Sequence, residues 1–171
     1  HPDMLHRYVM GLNRLDMVFA LSPQQKVEIA GTFQIDSSKI CVAGGGYNDR
    51  LFFPKDGRAG EKKIKPVRLA YAGKIDSSKG IYELIRAYSL LRQQKKSVSL
   101  DLVGEPNGEN RLRLHSALEG VEGVTVYPPM PQEELAEFLR RRDIFVLPSY
   151  YEGLGLIALE ALASGLWTVA T

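Results

Sequence analysis

The sequence predicts a doubly wound α/β domain, a parallel sheet with helices on both faces. Three observations carry this expectation. Short apolar runs alternate with helical patterns along the chain, the βαβα order that builds parallel sheets. The runs are mostly continuous rather than alternating, as in strands buried on both faces. The chain has 171 residues, 44% hydrophobic and 25% charged, enough for one ordinary domain with a substantial core.

Taken in order, LDMVFALS reads as the first strand, and Ser22-Pro23 supplies an N-cap with proline at the first helical position. KICVAGG is the second strand. The stretch KDGRAGEKKIKP, residues 55–66, is charged and glycine-bearing and reads as a loop between two units. VRLAYAG is the third strand. DSSKG follows, with Ser77 or Ser78 expected to cap a helix whose apolar face is Ile81, Leu84, Ile85 and Tyr88. VSLDLVG, VTVY, DIFVLPS and WTVA complete the strands, and Leu135, Phe138 and Leu139 mark the face of a later helix. No internal repeat or low-complexity tract interrupts this order.

The totals exclude several classes of function. A net charge of +2 is too small to imply nucleic acid as a partner. The clusters Lys62/Lys63/Lys65 and Arg140/Arg141/Arg142 read as solvated faces. The single cysteine, Cys41, excludes an internal disulfide and fits a reducing compartment. No apolar run approaches a membrane span, and no signal peptide is readable. His1, His6 and His115 form no metal-ligand pattern, and no Ser/His/Asp or Cys/His arrangement stands out. The dinucleotide fingerprint G-x-G-x-x-G is absent, since AGGGYND does not fit it. The chain opens on histidine and stops on WTVAT, a strand with nothing after it; the expectation is a piece of a longer protein, cut at both ends.

In doubly wound sheets the ligand sits beyond the carboxyl ends of the strands. That rule selects the loops 73–80, 104–108 and 148–155. The first carries Lys74 and Lys79; the last carries Glu152 and leads to Glu160. Two cations and two anions at one edge suit a phosphate joined to polyhydroxyl sugars. From Gly153 to Ala163, Glu160 is the one residue that is neither apolar nor glycine. A helix apolar all round is expected to be buried, where an unpaired carboxylate is expensive, so Glu160 reads as an acceptor for ligand hydroxyls. The competing reading is a solvent-facing residue on a partly exposed helix. Gly153 and Gly155 let the backbone approach a ligand, and free amides at the helix start attract anions. A cation at position 79 opposes the helix dipole unless an anion lies between them; the competing reading is a surface lysine.

PSYYEGLGLIALEALASG resembles the P-S-x-x-E-G-F-G-L-x-x-x-E-A-x-A-x-G signature of the group 1 (family 4) retaining glycosyltransferases. YAGKIDSSKGIYELIRAYSLL is similar to that family's G-R-x-x-x-x-K-G segment and the amphipathic helix after it, and GYNDRLFFP to its G-V-D-x-x-x-F-x-P run. The resemblance extends from about residue 15 to the end and implies the GT-B fold, built of two Rossmann-like domains. Residues 1–21 would then be the tail of the N-terminal domain and an interdomain segment. Residues 22–171 would be the C-terminal nucleotide-sugar-binding domain, truncated at its end and inactive alone.

By the same resemblance Glu160 binds the ribose, and Glu152 contacts hydroxyls of the transferred sugar. The amides around Gly153, Leu154 and Gly155 face sugar and diphosphate. Lys79, with Lys74 in the place of the family's arginine, neutralises the diphosphate, and Gly46 lies near the interdomain cleft. Lys79, Lys74 and Glu152 form the expected catalytic set. No cofactor and no metal is expected beyond the nucleotide-diphosphate sugar, with UDP favoured as its carrier. The implied acceptor is a glycan or lipid-linked molecule held by an N-terminal domain, in polysaccharide biosynthesis at a cytoplasmic location, peripheral at the inner membrane face in the full-length protein. Leu154, Trp167 and Pro128 depart from the family's usual phenylalanine, proline and glycine. The rival expectations are a non-catalytic nucleotide-sugar-binding module and a sugar-nucleotide epimerase of the same fold.

Overall fold

The computed structural model describes residues 14–54 and 66–171. Residues 55–65 of the stretch read as a loop, with Lys62, Lys63 and Lys65, and the histidines His1 and His6 lie outside the described residues. The chain divides into two compact units, residues 1–46 and 47–171.

In the first unit, β1 (Val18–Ala20) is followed by α1 (Pro23–Phe33), a short 3₁₀ turn over Ser37–Lys39, and β2 (Ile40–Val42). Ser22 caps α1, its hydroxyl accepting from the Gln25 amide at 3.1 Å. β1 and β2 pair in parallel, and Ala20, Ile35 and Ile40 form a small core. The sequence placed a boundary between residues 21 and 22, whereas the chain divides after Gly46. Pairing of β1 with β2, and packing of α1 on both, hold residues on either side of position 21 together.

The second unit runs β3 (Val67–Ala72), α2 (Ile81–Gln93), β4 (Val98–Val103), α3 (Gly108–Leu118), β5 (Val124–Tyr127), α4 (Gln132–Arg140), β6 (Ile144–Leu147), α5 (Leu156–Ala163) and β7 (Trp167–Ala170). All five strands are parallel, in the order β5-β4-β3-β6-β7. The chain winds outward from β3 to β5, then returns to lay β6 on the other side of β3. This is a doubly wound α/β sheet, and its topological switch lies between β3 and β6.

Alternate residues of β3 and β4 feed two cores. Leu69, Tyr71, Leu100 and Leu102 pack with Ile81, Leu84, Ile85 and Tyr88 of α2 and Leu114 of α3. Ala70, Ala72 and Val103 pack on the opposite face with Ala136, Phe138 and Leu139 of α4 and Ala161 of α5. The apolar run Leu69–Ala72 of β3 thus serves both faces, as its pattern implied, whereas β4 places Asp101 as well as Val103 on the second face.

Two expectations are corrected here. Arg140–Arg142 is not a uniformly solvated face. Arg142 donates to the Asp101 carboxylate at 2.6 Å and lies 3.9 Å over the Phe138 ring, while Arg140 donates to the Leu51 carbonyl and stacks on Phe53. A guanidinium on a long apolar stem fills core margins while its fork finds acceptors; Arg141 alone of the three is well exposed. Nor is α5 buried all round: Ala161 is its one buried residue, and Leu156 and Leu162 are exposed. Its apolar composition overstated its burial because it flanks the outer strands β6 and β7, and β7 is a largely exposed edge strand.

Candidate functional site

The switch point lies outside the carboxyl ends of β3 and β6, where Gly73 and Pro148 begin the next loops. Such a crevice is where open α/β sheets receive ligands. The three loops selected from the sequence are fastened to one another there. Ile75, fully buried, forms a parallel bridge with Pro106, joining loop 73–80 to loop 104–108. The Tyr150 amide donates to the Ser78 carbonyl at 3.1 Å, joining loop 73–80 to loop 148–155. Gly80 presses closest: a Cβ built on it would stand 1.8 Å from the Pro148 carbonyl oxygen, and its φ is +64°. Glycine is the residue that can occupy this point.

The DSSK segment folds as a 3₁₀ turn, Ser77–Lys79, before α2. Its cap is Asp76, which accepts from the Ser78 amide at 2.9 Å and from the Ser78 hydroxyl. The serine cap expected from the sequence is thereby corrected. A carboxylate outcompetes a hydroxyl for two converging donors, and Asx turns of this kind are built from aspartate followed by serine. α2 itself starts at Gly80 without a side-chain cap.

Lys79 and Glu152 meet at the switch point. The Lys79 ammonium lies 2.8 Å from Glu152 Oε1, with side chains 27% and 28% exposed. Ser149, 3% exposed, donates its hydroxyl to the same oxygen at 2.8 Å. Burial pushes the Glu152 carboxyl up, but the hydrogen bonds from Lys79 and Ser149 and the lysine charge outweigh it, leaving the group below its usual range. Lys74 has its own partner, Asp76 Oδ2 at 3.2 Å. The Asp76 carboxyl is held low first by the Ser78 hydroxyl and, against some burial, by Lys74. Beneath them the Tyr71 hydroxyl donates to the Lys74 carbonyl at 2.6 Å; burial first, then the charges of Asp76 and Glu152, raise its pKa well above that of a free phenol.

A cavity of about 460 Å³ opens beside this cluster. Its walls are mainly apolar: Ala72, Val103, Pro129, Met130, Leu135 and Ile157, with Lys74 and Glu105 at its polar margin. Glu160 sits one helical turn after Ile157 on α5 and accepts from the Gln132 amide at 3.0 Å. It is partly exposed rather than buried. Gly155 begins α5 in the left-handed region, φ +60°, with no side-chain cap, and its carbonyl accepts from the Ala158 amide at 2.8 Å. Gly153 has open space around it, and Leu154 is half-buried.

The structure therefore brings Lys79 and Glu152 together, sets Lys74 on the cavity wall, and places Glu160 on α5, whose Ile157 lines the cavity. Gly46, exposed, ends the first unit and is not among the cavity residues. Sequence reasoning assigned no role to Ser149, Asp76, Gln132 or Met130. The aspartate was signalled by the D-S-S pattern; the others became visible through contacts between segments distant in sequence. Among the described residues no group of three or more His, Cys, Asp and Glu is placed to hold a metal ion, and no helix is long and apolar enough to cross a membrane.

Comparison with known proteins gives a consistent family. The family described as glycosyl transferases group 1 matches residues 52–171. A D-inositol 3-phosphate glycosyltransferase of Pseudarthrobacter chlorophenolicus is 33% identical over 97% of this chain, which spans 41% of that relative's length. Among solved structures, sucrose-phosphate synthase of Thermosynechococcus elongatus superposes with a TM-score of 0.79 at 28% identity, over 99% of this chain and 44% of that one. Anabaena HepE, solved in complex with UDP and glucose, gives a TM-score of 0.79 at 18% identity, over 99% of this chain and 50% of its own.

Proposed function

Since this chain belongs to the glycosyl transferases of group 1, we propose that it binds a nucleotide-diphosphate sugar at the switch point, as the donor half of a retaining transferase. The observation that carries this reading is the Lys79–Glu152 pair, 2.8 Å apart, whose loop 73–80 also gives Gly73 and Lys74 to the wall of a mainly apolar cavity of about 460 Å³. An apolar cavity takes a base, cations take a diphosphate, and a carboxylate takes sugar hydroxyls. Glu160, half-exposed on α5, takes the ribose hydroxyls.

In the transfer, the bond between the anomeric carbon and the phosphate oxygen breaks, its electron pair staying on the diphosphate. The acceptor's hydroxyl oxygen forms the new bond to that carbon and passes its proton to the departing phosphate oxygen. Negative charge grows on the leaving group, so fixed cations and the uncapped start of α5 favour the transition state over the ground state. An ammonium has three donors, so Lys79 can bridge Glu152 and a phosphate oxygen together. We adopt UDP as the first candidate carrier, a choice supported by its presence in the HepE complex. The acceptor, a glycan or lipid-linked hydroxyl, is held outside this chain, which alone binds donor without transferring it.

Calorimetric titration of the chain with UDP, GDP and ADP tests the reading. One of them is expected to bind, with affinity unchanged by EDTA. If none binds, the donor-site reading is wrong; if binding needs a divalent metal, the lysine-based account fails.

A further inference from the structure

Resting on that reading, we infer that Ser149 is a positioning residue for the donor sugar: it fixes the Glu152 carboxylate so that one oxygen stays directed to sugar hydroxyls. Ser149 Oγ and Lys79 Nζ both converge on Oε1 of Glu152, each at 2.8 Å. Two donors on one oxygen hold the carboxylate plane against rotation. Among the described residues neither donor is shared with Oε2, which is left as the acceptor for a ligand.

The serine is unusual for its surroundings. It is 3% exposed, one of three buried polar or charged residues among those described, while its partners Lys79 and Glu152 are partly exposed. Its own placement is fixed on both sides. The Ser149 carbonyl accepts from the Thr171 hydroxyl at 2.9 Å, the Thr171 amide reaches the Leu147 carbonyl at 3.3 Å, and the Tyr150 amide is tied to Ser78. Edge strand and 3₁₀ turn thus set the hydroxyl, and the hydroxyl sets the carboxylate. Lys79 cannot do this alone. Its ammonium must also meet the diphosphate, and a flexible four-carbon stem restricts direction less than a buried hydroxyl on a one-carbon arm.

The consequence is selective. Loss of the hydroxyl weakens recognition of the sugar, which Glu152 touches, and leaves recognition of the nucleotide diphosphate, which it does not. The experiment uses the full-length polypeptide and two probes: whichever of UDP, GDP and ADP binds most tightly, and its glucose conjugate. Ser149→Ala is expected to weaken the conjugate roughly tenfold, as for loss of a hydrogen bond to a charged group, with the diphosphate within about twofold of wild type. Ser149→Thr, which keeps the hydroxyl, restores binding of the conjugate. In a Glu152→Gln background, Ser149→Ala adds nothing further. The inference is overturned if Ser149→Ala leaves the conjugate unchanged, if both probes weaken together, or if the two substitutions add. Should Ser149→Thr fail to fold, the double-substitution arm decides alone. Wild type binding none of the diphosphates would instead sink the donor-site reading, and this inference with it.

Discussion

Gly80→Ala offers a direct test of how the site is built. The substitution puts a methyl group 1.8 Å from the Pro148 carbonyl oxygen, where ordinary contact begins at 3.4 Å, so one of the two backbones must move by about 1.6 Å. The residue also sits at φ +64°, and a left-handed conformation costs a residue with a Cβ about 1–2 kcal/mol. Relief of the overlap adds about 1–3 kcal/mol, the usual range for overpacking. The expected loss is about 2–5 kcal/mol, a large share of the about 5–15 kcal/mol that a domain of this size has to lose. Urea unfolding measures it, as a lower midpoint with an unchanged slope. Gly153→Ala is the control, for nothing lies within 4 Å of its Cβ position, and it is expected to stay within about 0.5 kcal/mol. Gly155→Ala, at φ +60° with a Leu147 methyl at 3.1 Å, falls between. A Gly80→Ala protein within about 0.5 kcal/mol of wild type would refute the close fastening of the two loops.

Three further expectations follow from the same geometry. Arg142→Met strands the Asp101 carboxylate, whose side chain is 12% exposed, and is expected to cost about 3–5 kcal/mol in chemical unfolding; a loss under about 1 kcal/mol would show that the pair does not tie the segment after α4 to β4. Because Glu152 has a lowered folded pKa, its stabilising contribution is complete above the ordinary value near 4.5 and is lost as pH falls through the folded value; the difference in Tm between wild type and Glu152→Gln is expected to shrink between neutral and acid pH, and a constant difference would contradict the ion pair. In full-length transfer assays, Lys79→Ala is expected to lower kcat about a hundredfold or more, as for loss of a fixed charge-stabilising donor, while Lys74→Arg keeps activity because its fork suits a diphosphate; a silent Lys79→Ala would remove the lysine from the mechanism.

The parts of the fold that were legible are those set by local pattern. Ile81, Leu84, Ile85 and Tyr88 repeat at helical spacing, and all four are buried. Leu69 to Ala72 of VRLAYA is apolar without a break because both faces of that strand are covered, while VSLDLV sets Leu100 and Leu102 on one face and Asp101 and Val103 on the other. What was not legible depended on contacts across long sequence separations. Arg142 resembled a solvated charge until Asp101, on β4, was brought beside it. The pairing of Lys79 with Glu152 needed the return of β6 to the side of β3, which no window of sequence contains. α5 misled through composition: hydrophobicity reports what a helix could bury, not whether a neighbour is present to cover it. At the site, the residue types and their loops were readable from the switch-point rule and the motif, but their hydrogen-bond partners, Ser149 and Gln132, were not.

The residues that β3 and β4 give to the two faces are unequal in size, and that asymmetry has an evolutionary reading. Under α2 and α3 the central strands place leucines and a tyrosine; under α4 and α5 they place Ala70, Ala72 and Val103. The second set is also where the cavity opens, with Ala72 and Val103 in its wall. Both faces therefore carry a core, and on the second one the small residues of β3 and β4 also leave room for a guest. Enlarging Ala72 by a few carbons would reshape the chamber while the core under α2 and α3 stays as it is, so ligand preference can drift at limited cost to the architecture. A scaffold divided in this way can be refitted from within, one strand residue at a time, while its loops and their charges stay as they are.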